Sequence, residues 1–155
     1  SGQAATPPTG VAYAAPDLAA FEAGAFLPFK AGIDAGADCV LVTHNIVPCV
    51  DGEAPASLSA AWHAVLRDTL GFAGVIITDD LSMGGVTDYT DGASAAVAAV
   101  LAGNDMLCCT DFETQIPAVL RAVEDGTISE ARIDESVLRI LRWKLERGII
   151  TAQTE

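Results

Sequence analysis

Two rhythms of apolar residues alternate along the chain. Short, nearly unbroken apolar runs end at Thr43, Thr78 and Thr110, and the stretches between them carry apolar residues every three or four positions. The first pattern predicts buried strands and the second predicts helices. Residues 17–35 read as one or two helical segments broken near Pro28, with Phe21, Phe29 and Ile33 as core positions and Gly36 as the stop. Residues 59–70 put Trp62, Val65, Leu66 and Leu70 on one face, with Ser59 fitting the N-cap and Gly71 the stop. An alanine-rich helix spans 91–102 and ends at Gly103; another spans 113–124, with Gly126 as its stop. Ser129 then opens a final amphipathic helix over 130–147, with Ile133, Val137, Ile140, Leu141 and Lys144 at helical spacing ahead of Gly148.

Aligning the three strand-like runs, 36–44, 71–79 and 103–111, exposes an internal repeat. Each begins with Gly and closes on Thr followed by an ionisable residue: Thr43-His44, Thr78-Asp79 and Thr110-Asp111. The ionisable residues stand 35 and 32 positions apart (79 − 44 and 111 − 79), about one strand-plus-helix unit each. Continuous apolar strands alternating with helices predict an α/β fold with a parallel sheet covered by helices. Such sheets place their ligands at the C-terminal strand ends, where His44, Asp79 and Asp111 fall. Three strands are too few for a closed barrel of eight, which takes about 250 residues. The sheet is therefore either small and open or part of a larger barrel.

The run VIITDDLSM, residues 75–83, drives a strand into adjacent carboxylates. Strand alternation sends Asp79 and Asp80 to opposite faces, so one of them faces a ligand and the other serves as a structural acceptor for loop backbone. Composition narrows the chemistry. The 155 residues are 51% hydrophobic and 19% charged, as expected of one soluble domain with a buried core. A formal charge of −13 repels phosphate backbones and argues against nucleic acid as a partner. The longest small-apolar stretch, 93–102, is far short of the roughly 20 residues of a membrane span, and no secretory signal opens the chain, which leaves the compartment unassigned. Cys39, Cys49, Cys108 and Cys109 lack zinc-ligand spacing; Cys39, Cys108 and Cys109 read as buried free thiols.

Several strings in fixed order then carry a resemblance. They are FLPFKAGIDAGAD at 26–38, VTH at 42–44, PASLS at 55–59, LR at 66–67, LGFAGVIITDDLSM at 70–83, AGNDM at 102–106, and the Arg132, Ile133, Asp134, Glu135, Ser136, Arg139, Lys144 pattern. Together they resemble glycoside hydrolase family 3, in particular its β-N-acetylhexosaminidase branch, from about Leu18 to Gly148. The resemblance implies the second half of a (β/α)8 barrel, with residues 1–16 as an exposed connector, 17–150 as the half-barrel and 151–155 as a tail. It also implies Asp79 as the nucleophile of a retaining mechanism, His44 beside the sugar pocket, Met83 lining it, and no cofactor or metal. Asp80 is left as the structural acceptor. His63 has no such support and reads as a helix-face residue, and Asp111 reads as a loop cap.

The family's upstream sugar-binding motif, KHFPGHG, and its Asp-x-His loop with the acid/base His are absent from this chain. The acid/base is accordingly expected from a complementary N-terminal half-barrel, and the chain is expected either to pair with that half or to self-associate. Two other readings compete. A metal-dependent barrel hydrolase would use His44, Asp79 and Asp111 as ligands, and a non-catalytic sugar-binding or assembly module would use the half-barrel as a scaffold. The natural glycan, and the choice between water and phosphate as acceptor, are not encoded in these motifs.

Overall fold

The computed structural model of the chain describes residues 17–151; the expected connector and all but the first residue of the expected tail lie outside the described residues. Three strands, β1 (Cys39–Val42), β2 (Val75–Asp80) and β3 (Met106–Cys108), form a parallel sheet in the order β1-β2-β3. Val40 pairs with Ile76 and Val42 with Thr78, while the β2–β3 register shifts between Ile77 and Asp80. The strands are shorter than the apolar runs predicted. Gly36, Gly71 and Gly103 belong instead to the turns that end the preceding helices, at φ of 88°, 69° and 120°.

The α-helices of four residues or more are α1 (Phe26–Asp34), α2 (Ala60–Ala64), the single turn α3 (Gly84–Thr87), α4 (Gly92–Ala102), α5 (Phe112–Glu124) and α6 (Glu130–Glu146), and a short turn, Leu18–Ala20, precedes them. Ser59, Asp91 and Ser129 cap α2, α4 and α6 by accepting from the amides of Trp62, Ser94 and Arg132. None of the described helices is long and apolar enough to cross a membrane.

Two predicted helix faces are corrected. The break expected near Pro28 lies upstream, in a π-helical segment, Phe21–Ala25, and Pro28 is accommodated in the first turn of α1. That wide turn changes the helical phase, so Phe26 is buried and Phe29 is 51% exposed, where the sequence pattern had put Phe29 in the core. Phe21 and Phe26 pack on Trp62, with ring centroids 5.8 and 6.3 Å from its ring, and stand 5.5 Å from each other. On α6 Arg132, Ser136 and Arg139 turn inward beside the half-buried Ile133 and Ile140, which lie on the inner face as expected, while the expected positions Val137 and Leu141 are exposed.

The reason for that rotation is Asp105, whose side chain is 0% exposed at the start of β3. Its Oδ2 accepts Arg67 at 2.6 Å and the Ile76 amide at 2.9 Å; its Oδ1 accepts Arg139 at 3.0 Å and the Ser136 hydroxyl at 2.8 Å. The Asp105 amide also donates to the Ile76 carbonyl at 2.8 Å. Arg67, in the π turn Val65–Thr69 that extends α2, further donates to the carbonyls of Phe72 and Gly74. Burial draws the Arg67 guanidinium below its usual range, and the Asp105 charge opposes that shift. A buried carboxylate demands such partners, and they override the apolar stripe of α6.

Apolar packing lies between the sheet and the helices. Val42, Ile76, Phe72 and Trp62 form one cluster, Leu81 with the alanines of α4 a second, and Val100, Ala122 and Ile128 a third. By alternation, Leu41, Ile77, Asp79 and Met106 face the other side, where Leu41 is 52% exposed. Cys108 is exposed, which corrects its expected burial; Cys39 and Cys109 are half-buried, and all four cysteines are free.

The hub makes a stability prediction. Asp105→Asn leaves two arginines facing a neutral amide and is expected to destabilise the chain by about 3 kcal/mol, the low end for a broken buried pair because Arg67 and Arg139 are 20% and 28% exposed. Asp34→Asn, which breaks the exposed Lys30–Asp34 pair, is expected to change stability by about 0.5 kcal/mol or less. Urea unfolding of both variants checks this. Equal, small losses would show that the hub does not hold the fold.

Candidate active site

Three strand ends converge at one edge of the sheet. β2 persists through both acids, so Asp79 and Asp80 point to opposite faces as strand alternation requires. Asp79 lies on the open face and is half-buried. Its Oδ1 accepts the Asp80 amide at 2.8 Å, and among the described residues no ion pair reaches it. The carboxylate is therefore fixed at one oxygen and open at the other.

Asp80 is a structural acceptor. Its Oδ1 accepts the Ser82 amide at 2.8 Å, the Ser82 hydroxyl at 2.7 Å and the Thr110 amide at 3.4 Å, and its Oδ2 accepts the Thr110 hydroxyl. These bonds stitch the loop after β2 to the loop after β3. They hold the Asp80 carboxyl at about 2, with the Thr110 hydroxyl as the largest cause and Ser82 next.

His44 lies two residues beyond β1 and is buried. Its Nε2 donates to the Asp80 carbonyl at 2.9 Å, because a carbonyl can only accept; in the neutral tautomer assigned from that partner, Nδ1 accepts the Ser57 hydroxyl at 2.7 Å. With both ring nitrogens engaged, His44 acts on any pocket through shape and through Asp80. Met83 is 48% exposed at the N-cap of α3, in the loop behind the acids.

The remaining candidates separate from this group. Asp111 occupies the N-cap position of α5, but its side chain makes no capping hydrogen bond, so the expected loop cap is carried by its backbone carbonyl alone, which accepts from Thr114 and Gln115. His63 is buried in α2, donating Nδ1–H to the Ser59 carbonyl at 2.7 Å and packing against Gly103, where an added Cβ would stand 3.1 Å from the His63 Cβ. His44, Asp79 and Asp111 do not converge on a cation position: among the described residues no three His, Cys, Asp or Glu side chains gather as ligands. Sequence reasoning passed over Ser57, Thr78 and Thr110. Two of the three Thr residues that close the repeated strands supply stitches: Thr78 Oγ1 accepts the Cys108 amide at 3.0 Å, and the Thr110 hydroxyl donates to Asp80. The repeat was their signal, although it drew notice to the ionisable residues beside them.

A parallel strand–helix arc with a half-free carboxylate at a strand end defines the α/β class of enzyme whose chemistry is performed at the C-terminal edge of the sheet. Residues 4–143 match the glycosyl hydrolase family 3 N terminal domain, and the chain belongs to that family. It is 31% identical over 130 residues to a β-hexosaminidase of Methylococcus capsulatus, covering 83% of this chain and 39% of that protein. To an uncharacterized secreted glycosyl hydrolase of Arthroderma benhamiae it is 32% identical, covering 74% of this chain and 34% of that one. The solved family 3 β-N-acetylglucosaminidase of Paenibacillus sp. superposes with a TM-score of 0.87 at 32% identity, over 97% of this chain and 30% of the other. The chain thus spans about a third of the length of these relatives. Its arc is the second half of a (β/α)8 barrel, as the sequence led one to expect.

The Asp80 bonds favour its charged form in the folded state. Their contribution is present above the ordinary Asp value of 3.8 and is lost as pH falls toward about 2. A carboxyl-carbon NMR titration is expected to place the Asp80 midpoint near 2, with loop resonances of Ser82 and Thr110 shifting together. A midpoint at 3.8 would contradict the clamp.

Proposed function

We propose that the chain carries the nucleophile half of a retaining glycosidase acting on terminal β-N-acetylglucosaminides. The observation that supports it is the aim of Asp79: a carboxylate at the C-terminal end of β2, on the open face, with one oxygen held by the Asp80 amide. The likeness to a Methylococcus β-hexosaminidase and a Paenibacillus β-N-acetylglucosaminidase supplies the substrate class.

In this reading the free oxygen of Asp79 attacks the anomeric carbon. The glycosidic bond breaks, and an acid/base His protonates the departing oxygen. The same His then takes a proton from water, whose oxygen attacks the anomeric carbon and releases the Asp79 carboxylate. His44 shapes the pocket floor through Asp80, and Met83 offers an apolar contact to the sugar.

The acid/base comes from a complementary half-barrel. What supports this is the set of apolar surfaces at the flanks of the arc. Beside β1 runs a groove lined by Phe21, Phe26, Phe29, Leu41, Trp62 and Leu66, and beyond β3 the helix α5 exposes Phe112, Ile116 and Leu120 at four-residue spacing. Both sheet edges lack a strand partner among the described residues. Residues 17–150 are the unit that docks there. Without that half the chain is expected to self-associate through the same edges.

Asp79→Ala in the full native polypeptide that contains residues 1–155 is expected to lower turnover of an aryl β-N-acetylglucosaminide by about a thousandfold or more. The Asp80→Asn variant should keep measurable turnover. The reverse ranking would move the nucleophile to Asp80. The 155-residue chain alone should sediment as an oligomer without activity, and co-expression with an upstream half-barrel should restore hydrolysis. A dispersed monomer that hydrolyses the glycoside unaided would sink the half-barrel reading.

A further inference from the structure

Asp80 is the residue through which three strand ends meet, and each of its polar groups has a different partner. Its amide donates to Asp79 Oδ1, its carbonyl accepts from His44 beyond β1 and from the Met83 amide, and its carboxylate accepts from Thr110 beyond β3 and from Ser82 in its own loop. The supports have supports of their own. Ser57, which is fully buried, holds His44 through its hydroxyl, and the Asn104 side-chain amide donates to the Ser57 carbonyl at 2.7 Å.

The consequence follows from backbone geometry. Peptide units are planar, so a residue has two soft backbone torsions. Anchoring the carbonyl and the side chain of Asp80 from opposite neighbours fixes its Cα frame, and with it the direction of its N–H. That N–H is the hydrogen-bond donor on Asp79. β2 ends at Asp80, and past it the backbone is tied only by the Leu81 amide on the Cys108 carbonyl at 3.0 Å and the Met83 amide on the Asp80 carbonyl at 3.1 Å, so the orientation of the Asp80 side chain and N–H depends on the anchors.

We propose that Asp80, fastened by Thr110 and His44, is a positioning residue that aims the Asp79 carboxylate. The Thr110 hydroxyl, on an exposed loop 30 positions away in the chain, is its adjustable anchor. This inference rests on the reading of Asp79 as nucleophile. It adds that the rate of attack depends on a hydroxyl that touches neither the sugar nor Asp79. A misplaced nucleophile loses rate rather than affinity, because sugar contacts made elsewhere are unchanged.

The test is a comparison of Thr110→Val, Thr110→Ser, Asp80→Ala and Asp79→Ala in the full native polypeptide that contains this chain, with an aryl β-N-acetylglucosaminide as substrate. Thr110→Val is expected to lower kcat by about 10- to 100-fold, the scale of an ångström of misplacement, with KM within about twofold. Asp80→Ala should fall in the same direction and further. Thr110→Ser, which restores the hydroxyl, should return kcat to within about threefold of the native value. The melting temperature of Thr110→Val should fall by only a few degrees, the scale of one exposed hydrogen bond, and that of Thr110→Ser should match the native protein. If Asp79→Ala is inactive while Thr110→Val keeps native kcat, the positioning role is wrong and the nucleophile stands. If Thr110→Val loses kcat together with far more than a few degrees of melting temperature and Thr110→Ser does not recover kcat, the clamp is merely structural. Turnover surviving in Asp79→Ala overturns both readings.

Discussion

Everything in this fold leans on one buried carboxylate. The Asp105 side chain is fully enclosed, and an unpaired charge there would be untenable, so the chain surrounds the carboxylate with Arg67, Arg139, Ser136 and the Ile76 amide. Those partners come from the helical turn after α2, from β2 and from α6. One side chain therefore sets how three elements meet at the N-terminal ends of the strands. Its neighbour Asn104 carries the order onward, with its backbone carbonyl accepting from Arg132 and its side chain donating to the carbonyls of Ser57 and Ala99. From Ser57 the path runs to His44, then to Asp80, and ends on Asp79. The charged network thus lies at one end of the arc and the His44, Asp79 and Asp80 group at the other.

Local patterning made the elements legible and concealed their orientation. Gly, Ser and Asp punctuation located α4, α5 and α6 to within a residue of their ends, because capping is decided by groups within one turn. The face a helix buries is decided from afar. Val137 and Leu141 look like core until the arginines of α6 are required by Asp105, which lies some thirty positions upstream of them. Phe29 was displaced by Phe26 for a different reason: a π turn adds backbone between hydrogen bonds, and no periodicity count registers it.

The site shows the same division. That Asp79 and Asp80 face opposite ways was legible, since it needs only strand alternation. That Asp80 ties β1 to β3 was not, because its partners His44 and Thr110 lie 36 and 30 positions away and meet it only when the sheet forms. The arc holds the Asp79 carboxylate by one oxygen, and both of its histidines are buried and hydrogen-bonded, His44 to Ser57 and His63 to the Ser59 carbonyl.

The central claim is that Asp79 forms the bond to sugar. The most direct measurement is mass spectrometry of the full native polypeptide after trapping with a slow fluorinated N-acetylglucosaminide, followed by peptide mapping. The account predicts one sugar equivalent, attached to Asp79 within the VIITDDLSM segment. A label on Asp80, on any residue outside that segment, or no covalent adduct in an enzyme that turns over the substrate with retention would contradict it.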